Sequence, residues 1–355
     1  MTSLARIHLA PAHPCMGWVS MNRYWQALRA ESAGDTDVQS LVTEGPLEAP
    51  AASRLKRQWI RRIAYPWQVR SKVQNGVLHV LDHSFADLLS QVPSAVKTVV
   101  TVHDLIPLTD PGDLTLAQQQ RFQKTVRWVA KADRVVCVSQ HTAGEVQRLL
   151  RVATDKLKVL PNGASKLPEA DARMAQRLAS LPPYIFSVGG TSPRKNLPFL
   201  IPLVKQLAER GQRATVVRAG ALLDLALASA IREQGDLIEL GPVDDDELAA
   251  AYAAAALTLV PSTQEGFGLP VLEAMQAGCP VVYSLATSLP EVAGKAGLGF
   301  ELTDIHAAAS HCWRILTDAE VRVQCRIAGL ERAAQFTWRS HWRGLRTLYE
   351  ELLKA

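Results

Sequence analysis

Short apolar runs alternate with longer amphipathic stretches along most of the chain. In the first half, buried strands are predicted at RIHLA (6–10), VLHVL (77–81), KTVVTV (97–102) and RVVCVS (134–139). Stretches with helical spacing, such as residues 116–132, follow most of these runs. Continuous apolar strands separated by helices are typical of a parallel sheet covered on both faces, which predicts a doubly wound α/β domain.

The alternation breaks over residues 161–183, where prolines, a glycine and mixed charges are typical of a linker region. It restarts in YIFSVGG, ATVVRAG, LIEL, LTLVPS and PVVYS, which predict a second doubly wound domain. A basic amphipathic helix is predicted at the end of the chain. We therefore expect domains at 1–170 and 171–335, followed by a helix at 336–355. Ligands of such sheets bind beyond the carboxyl ends of the strands, and with two domains in the cleft between them.

The length agrees with two globular domains, since 355 residues are too many for one ordinary core. With 48% hydrophobic and 21% charged side chains, the composition is that of a globular protein and not of a disordered chain. Five cysteines without paired spacing do not indicate a disulfide framework, and Cys137 and Cys279 are expected to be buried thiols. Without an apolar signal core or a run of 18 apolar residues, we expect a cytoplasmic protein that does not span a membrane. The net charge of +5 suits an anionic ligand or surface and does not indicate nucleic acid.

The stretch PSTQEGFGLPVLEAMQAGCPVV (261–282) joins a predicted strand to a predicted helix through Glu265 and a glycine-rich loop. Glycines let backbone amides approach a ligand, and a helix N-terminus favours phosphate. A carboxylate beside phosphate is repulsive, so Glu265 and Glu273 are expected to bind neutral hydroxyls. A nucleotide-diphosphate sugar fits this arrangement. A tight loop with two surface glutamates explains the same residues equally well.

The stretch GGTSPRKNLPFLI (189–201) also follows a strand and opens a helix. Arg194 and Lys195 at its entry would neutralise a diphosphate together with helix amides, although most such pairs are only a solvated basic turn.

In the first half, His103 and Asp104 directly follow a predicted strand. His103 would donate a hydrogen bond to a sugar or polarise an acceptor hydroxyl, whereas a structural histidine is the commoner case. Asp104 would orient the imidazole or cap the next turn. Asp82 and His83 end another strand and are assigned, with Asp104, to the acceptor side.

A basic segment without acids, SRLKRQWIRRIAYPWQVRSK (53–72), interleaves aromatic and apolar residues. It is typical of an interfacial element on anionic lipid, while a solvated helix face, a nucleic-acid patch and a subunit contact remain open. The residues assigned to this membrane patch are Arg54, Lys56, Arg57, Trp59, Arg61, Arg62 and Trp67.

The Asp-x-Asp pattern in VDDDEL (243–248) is expected to cap a helix rather than to hold a metal. No cluster of cysteine, histidine and carboxylate has ligand spacing, and neither a dinucleotide-binding nor a P-loop motif is present, so no metal or cofactor is expected.

The sequence resembles the retaining glycosyltransferases of family 4, which have the GT-B fold and a Glu-x7-Glu signature. PSTQEGFGLPVLEAMQAGCPVVYS, followed by SLPEVAGKAGLGF, matches that signature, and GGTSPRKN, TVHDLIPL, VSQHTAGEV and VLPNGAS extend the likeness over nearly the whole chain. It is strong from about residue 184 to 300 and weaker before that. The resemblance implies two Rossmann-like domains facing a central cleft. In such a fold the C-terminal helix crosses back to the N-terminal domain.

The resemblance also implies site roles. Glu273 would bind the ribose, Glu265 and His103 the donor sugar, and Lys195 and Arg194 the diphosphate. His103, Glu265, Lys195 and Arg194 form the expected catalytic set. The remaining expected donor contacts are Gly17, Gly189, Gly190, Gly266, Phe267, Gly268 and Leu269.

Two departures from the family pattern are visible. Many members carry arginine directly after the glycine, where this chain has Gly190, so Arg194 would supply the missing guanidinium. The loop after the first strand, which contains Gly17, is shorter than usual.

The expected activity is metal-independent transfer of a hexose, with retention, from GDP-mannose or a UDP-sugar to a hydroxyl acceptor. The expected acceptor is a lipid-linked or polysaccharide intermediate in cell-surface glycan or lipopolysaccharide synthesis, and the expected location is cytoplasmic, peripheral on the inner face of the plasma membrane. A nucleotide-sugar epimerase of the same fold and a non-catalytic subunit that binds a membrane or a partner remain as alternatives.

Overall fold

The computed structural model describes residues 6–42, 53–112, 114–165 and 167–354, which form two compact units. The first unit contains the described residues up to Gly163 together with those from Thr337 onward, and the second unit is Ala164–Phe336. The chain therefore leaves the first unit once and returns to it for the C-terminal helix. The second unit begins a few residues before the expected start at 171 and ends one residue after the expected end at 335.

Twelve strands are described. They are β1 (Ile7–Ala10), β2 (Val38–Ser40), β3 (Val77–Val80), β4 (Lys97–Val102), β5 (Arg134–Cys137), β6 (Leu157–Val159), β7 (Tyr184–Val188), β8 (Thr215–Ala219), β9 (Asp236–Gly241), β10 (Leu257–Val260), β11 (Val281–Ser284) and β12 (Leu298–Phe300).

The α-helices of the first unit before the crossing are α1 (Val19–Glu31), α2 (Arg54–Trp59), α3 (Tyr65–Lys72), α4 (Ile106–Thr109), α5 (Leu116–Val126) and α6 (Gln140–Leu150). Those of the second unit are α7 (Ala172–Ala179), α8 (Leu200–Glu209), α9 (Leu225–Gln234), α10 (Asp245–Ala254), α11 (Leu269–Gln276), α12 (Leu289–Ala293), α13 (Ile305–Thr317) and α14 (Ala319–Ala333). The last helix is α15 (Trp338–Lys354). A π-helical turn, Ile60–Ala64, joins α2 to α3, and 3₁₀ turns lie at Pro14–Met16, His83–Gln91, Arg127–Lys131, Thr154–Lys156, Pro193–Lys195 and Leu197–Phe199.

Each unit contains one parallel six-stranded sheet with helices around it, as the alternating pattern predicts. The first sheet has the order β2-β1-β3-β4-β5-β6 and the second has β12-β11-β10-β7-β8-β9. Strand order reverses between β1 and β3 in the first sheet and between β7 and β10 in the second. Because ligands of doubly wound sheets bind where the order reverses, the loops after these four strands define the candidate edge of each unit.

The predicted linker is partly wrong, because residues 172–179 form α7. The Asp171 side chain accepts a hydrogen bond from the Met174 amide at 2.7 Å and so caps the helix. Met174 and Leu178 are buried four residues apart, which is the spacing of one helix face.

The C-terminal helix α15 packs into the core of the first unit, as the resemblance implies. Its buried side chains are His341, Trp342, Leu345, Leu348, Tyr349 and Leu352. Four of the apolar residues in this set are among the most fully enclosed of the first core, so removal of α15 would expose a large part of it.

The expected thiols Cys137 and Cys279 are both buried. Among the described ranges, no helix combines the length and the apolar character that crossing a bilayer requires.

Candidate functional site

The loops that follow β7 and β10 are joined to each other at the point where the second sheet reverses. The Thr263 amide donates to the Arg194 carbonyl at 2.8 Å, and the Asn196 side-chain amide donates to the Pro261 carbonyl at 3.1 Å. Asn196 adopts the left-handed conformation, with φ of 51°, and so turns the chain between two short helical turns. The fold thus brings Arg194, Lys195 and the Glu265 loop together.

Glu265 is the centre of a charged cluster. Its carboxylate accepts from Lys195 Nζ at 2.7 Å, from Arg194 Nη1 at 3.0 Å and from Ser262 Oγ at 2.8 Å. Burial alone raises the pKa of this carboxyl, but the adjacent Lys195 and Arg194 outweigh it and hold the pKa below its ordinary value. One carboxylate faces two cations, which leaves the cluster net positive.

The backbone of Glu265 is fixed as well. Its amide donates to Thr287 Oγ1 at 3.0 Å, and its carbonyl accepts from Ser288 Oγ at 2.8 Å. The sequence analysis missed Ser262, Thr287 and Ser288. The signal that could have found them is their place in the segments that directly follow β10 and β11, at the carboxyl edge of the sheet.

The expected helix start is confirmed, because α11 begins at Leu269 and Gly268 is its N-cap. Gly268 has φ of 102°, and a Cβ there would lie 2.7 Å from Leu289 Cδ2, so this position requires glycine. Pro270 occupies the first turn, where the missing amide costs nothing. The Phe267 side chain is buried edge-on against Phe336, so any contact of this residue with a donor would be made by its backbone.

Glu273 is the fifth residue of α11, directly after the first turn of the helix. Its Oε2 accepts a hydrogen bond from the Tyr252 hydroxyl at 3.2 Å, which holds the carboxylate in position. Tyr252, which the sequence analysis also missed, is buried on α10.

The first unit presents histidines at its own reversal. His103 Nε2 lies 2.9 Å from the Leu81 carbonyl, which only accepts, so Nε2 carries the hydrogen. The His103 amide donates to His83 Nδ1 at 3.4 Å. Burial lowers the pKa of His103, and the imidazole is therefore neutral near pH 7 with its lone pair on Nδ1.

The neighbouring polar residues serve local structure. Asp104 accepts from the Ile106 amide at 3.1 Å, so of its two expected roles it performs the capping one. Asp82 accepts from both the amide and the hydroxyl of Ser84, at 2.7 and 2.6 Å. Gly17 has φ of 71° and ends the turn Pro14–Met16.

The basic segment forms α2, the π-helical turn and α3, with four large apolar side chains in the solvent. Leu55, Trp59, Ile63 and Trp67 are 81%, 56%, 58% and 70% exposed. Arg61 departs from the expected patch, because its guanidinium turns inward to the Ser84 carbonyl and lies 4.6 Å above the Phe85 ring. Its head group is therefore part of the packing beneath the segment.

The Asp-x-Asp pattern caps α10, as predicted. Asp244 accepts from the Glu247 amide at 2.9 Å while Glu247 accepts from the Asp244 amide at 3.1 Å, which is a capping box. In the part of the chain that the structure describes, no three histidine, cysteine or carboxylate side chains are grouped as a metal site requires.

Two family models match the chain. The model for Glycosyltransferase Family 4 matches residues 27–165, and the model for Glycosyl transferases group 1 matches residues 182–318. These ranges lie in the first and the second unit respectively, apart from two residues at the crossing.

Proteins similar to this chain include mannosyltransferases. The chain is 32% identical over 256 residues to the O-antigen chain mannosyltransferase B of Escherichia coli, covering 68% of this chain and 67% of the relative. It is 31% identical over 261 residues to the serotype-specific mannosyltransferase WbdA of the same organism, and spans about a third of that relative, 32%. Sucrose-phosphate synthase of Thermosynechococcus elongatus, at 21% identity, has the same fold over 99% of both chains with a TM-score of 0.78.

Proposed function

Because the chain belongs to glycosyltransferase family 4, with the GT-B fold, we propose that it transfers a hexose from a nucleotide-diphosphate sugar to a hydroxyl acceptor, with retention at the anomeric carbon. The observation that carries the proposal is the cluster of Glu265, Lys195 and Arg194 at the reversal of the second sheet. The names of the relatives favour mannose, and hence GDP-mannose, over a UDP-sugar. The proposed acceptor is a lipid-linked or polysaccharide glycan intermediate.

The donor diphosphate would bind beside Lys195 and Arg194, the two cations of the cluster. Its oxygens compete with the Glu265 carboxylate for Lys195 and Arg194, which hold that carboxylate at 2.7 and 3.0 Å. A diphosphate carries more charge than one carboxylate and displaces it from at least one cation. The freed Glu265 oxygen then accepts hydrogen bonds from hydroxyls of the donor sugar. Glu273 accepts hydrogen bonds from the ribose hydroxyls.

Charge development in the reaction would follow the same division. As the bond to the leaving diphosphate breaks, Lys195 and Arg194 stabilise the growing negative charge, which makes a metal unnecessary. His103 is neutral, so its Nδ1 accepts a hydrogen bond from a sugar hydroxyl. The sequence analysis expected His103 to donate this hydrogen bond, and the direction is therefore reversed. A phosphate oxygen of the leaving group takes the proton of the acceptor hydroxyl.

Thermal shift with a panel of nucleoside diphosphates and their sugars tests the donor. Stabilisation by GDP and GDP-mannose, with transfer of mannose to a glycan acceptor, is the expected result. The variant E265Q should lose transfer by about 10- to 100-fold, because a neutral amide cannot accept in the same way. Full transfer by E265Q would overturn the assignment, and turnover of the donor without acceptor to an isomeric nucleotide sugar would favour an epimerase.

We further propose that α2 and α3 bind an anionic membrane surface. The support is the exposed apolar set Leu55, Trp59, Ile63 and Trp67 within a segment that holds no acidic residue. Apolar side chains enter the interface while arginine and lysine meet lipid phosphates. This surface would bring the enzyme to a lipid-linked acceptor at the inner face of the plasma membrane.

Vesicle sedimentation tests the membrane proposal. The double variant W59A/W67A and the charge reversal R57E/R62E should each lose binding to vesicles containing anionic lipid. The reversal R148E/K205E, which changes charge by the same amount at exposed positions elsewhere, should bind as the unchanged protein does. Equal binding by all variants would discard the proposal.

A further inference from the structure

Arg218 is a buried cation that is not among the expected donor contacts. It lies on β8, next to β7, and its side chain is among the largest that are fully buried, with the residue 1% exposed. Its Nη1 donates to the Ala221 carbonyl at 2.9 Å, and its Nη2 donates to the carbonyls of Gly189 at 3.0 Å and Gly190 at 3.2 Å. The guanidinium therefore clasps the loop that follows β7 from inside the unit.

This clasp fixes the direction of two amides. In a trans peptide the C=O and the following N–H point in opposite directions. Because the Gly189 and Gly190 carbonyls turn inward to Arg218, the amides of Gly190 and Thr191 turn away from it. Both residues are exposed, and in the described residues neither amide is used in a hydrogen bond within the protein.

The backbone at the end of β8 confines the loop as well. A Cβ at Gly220 would lie 2.2 Å from the Gly189 oxygen, so the backbone of the two strand ends is in direct contact. Gly189 has φ of 122°, and a Cβ there would lie 3.5 Å from Lys195 Cε and 3.8 Å from Lys195 Nζ. The Lys195 ammonium is therefore adjacent to Gly189, the residue directly before the first outward amide.

The positive charge of Arg218 also favours an anion at this loop. The hydrogen bonds of the guanidinium go to neutral carbonyls, and its Nε is buried without a hydrogen-bond partner. Arg218 thus places a positive charge behind a loop whose amides already face outward. Consecutive outward amides with a cation beside them form a concave site for an anion.

We propose that Arg218 is a positioning residue for the donor. It holds the Gly189 and Gly190 carbonyls inward, so that the amides of Gly190 and Thr191 bind phosphate oxygens of a nucleoside diphosphate beside Lys195. The proposal rests on the proposed function and adds a buried residue and two backbone groups to it. Arg218 itself does not touch the ligand.

Affinity measurements with GDP and guanosine, and with UDP and uridine, test this role. The variant R218M should bind the nucleoside diphosphate about 10- to 100-fold more weakly and the nucleoside with unchanged affinity, because only the phosphate contacts depend on the clasp. R218K, which keeps the charge but replaces the two donating nitrogens of Arg218 with one, should lie between R218M and the unchanged protein.

Arg213 provides a matched control near the amino end of the same strand. It also donates to a glycine carbonyl, that of Gly235, at 2.9 Å. R213M should leave the ratio of diphosphate to nucleoside affinity unchanged. A merely structural Arg218 would lower the unfolding temperature in R218M and R218K while leaving that ratio as it is in R213M, and this result would overturn the proposal.

Amide NMR shifts of the unchanged protein make the test independent of whether the variants fold. On titration with nucleoside diphosphate, the Gly190 and Thr191 signals should shift downfield, as amides do when they donate to phosphate. Absence of these shifts despite binding would overturn the role of Arg218 and leave the transferase proposal intact. If the unchanged protein bound no nucleoside diphosphate at all, both proposals would fail together.

Discussion

The two units share one construction, a parallel six-stranded sheet with a reversal of strand order, yet their ligand edges differ in charge. The second unit gathers Lys195, Arg194 and Glu265 within hydrogen-bonding distance. The first unit presents His103, a buried imidazole whose pKa is lowered by burial. One edge is thus suited to an anion and the other to hydroxyls, although the folds are alike.

The neutral character of the first unit extends into its core. Tyr24 hydroxyl lies 2.9 Å from His341 Nε2, and His79 bridges Tyr349 at 2.5 Å and Thr101 at 2.8 Å. Burial lowers the pKa of His79 to about 3 and that of His341 to about 4. These hydrogen bonds tie α15 to α1 and β3 through neutral side chains, whereas Arg346 on the same helix pairs with Asp37 at 2.9 Å. The comparison teaches that the sheet determines where a ligand binds, while the residues at the edge of the sheet determine the charge of the ligand that binds there.

The largest expected effect comes from removing the central cation of the charged edge. K195M should lower kcat/KM for transfer by about 100- to 1,000-fold if Lys195 stabilises the leaving diphosphate as proposed. Steady-state kinetics measure it. The control K205M removes an exposed lysine of the same unit and should retain its activity. A loss under tenfold in K195M would contradict the view that this edge neutralises the diphosphate.

A change at the neutral edge should act on transfer and not on nucleotide binding. H103F should lower kcat by about 10- to 100-fold, since the lone pair on Nδ1 is lost, while affinity for the nucleoside diphosphate stays the same. H306N, at an exposed histidine of the second unit, serves as the control. Weakened diphosphate binding in H103F would mean that the two edges do not divide the ligand as described.

Acid should weaken the first unit before the charged cluster responds. With folded pKa values of about 3 for His79 and about 4 for His341 against 6.5 in the unfolded chain, the unfolded state binds more protons below pH 6.5. The stability these neutral imidazoles contribute is complete above pH 6.5 and declines as the pH falls, by up to roughly 2 kcal/mol per histidine at pH 5. The ion pairs of Glu265 are lost only at lower pH, since the pKa of that carboxyl is already below its ordinary 4.5.

Tryptophan fluorescence suits this measurement, because seven of the eight tryptophans lie in the first unit and only Trp313 lies in the second. The fluorescence melting temperature should fall between pH 7 and pH 5, and H341Q should show a shallower fall. A melting temperature that is constant over this range would contradict the described neutral core.

The smallest expected effect concerns the Tyr252 hydroxyl, which donates to Glu273 at 3.2 Å. Y252F removes one hydrogen bond that steadies a carboxylate, so affinity for the nucleoside part should fall only about two- to fivefold. Isothermal titration with the nucleoside diphosphate measures it. A loss as large as that in K195M would show that Tyr252 contacts the ligand directly.

The sequence predicted most of the strands and the charged loops, because apolar runs and the Glu-Gly-Phe-Gly loop are local signals. It missed the short edge strands Val38–Ser40, Leu157–Val159 and Leu298–Phe300, where three residues carry too little pattern. It assigned Arg61 to the surface and left Arg218 inside a strand, since only tertiary packing shows that both guanidinium groups turn inward to carbonyls. The direction in which a long side chain turns depends on neighbours distant in sequence.

The π-helical turn at Ile60–Ala64, where the Tyr65 amide bonds the Ile60 carbonyl five residues earlier, sets the phase of the apolar side chains around it. In a regular α-helix each step of four residues advances about 40° beyond a full turn, so Leu55 and Trp67 would be offset by about 120°. A wider turn uses more residues per revolution and takes part of this rotation back. The turn thus works as a phase correction. Converting it to a regular α-helical turn of the same length would return the offset between Leu55 and Trp67 to about 120° without changing a single side chain.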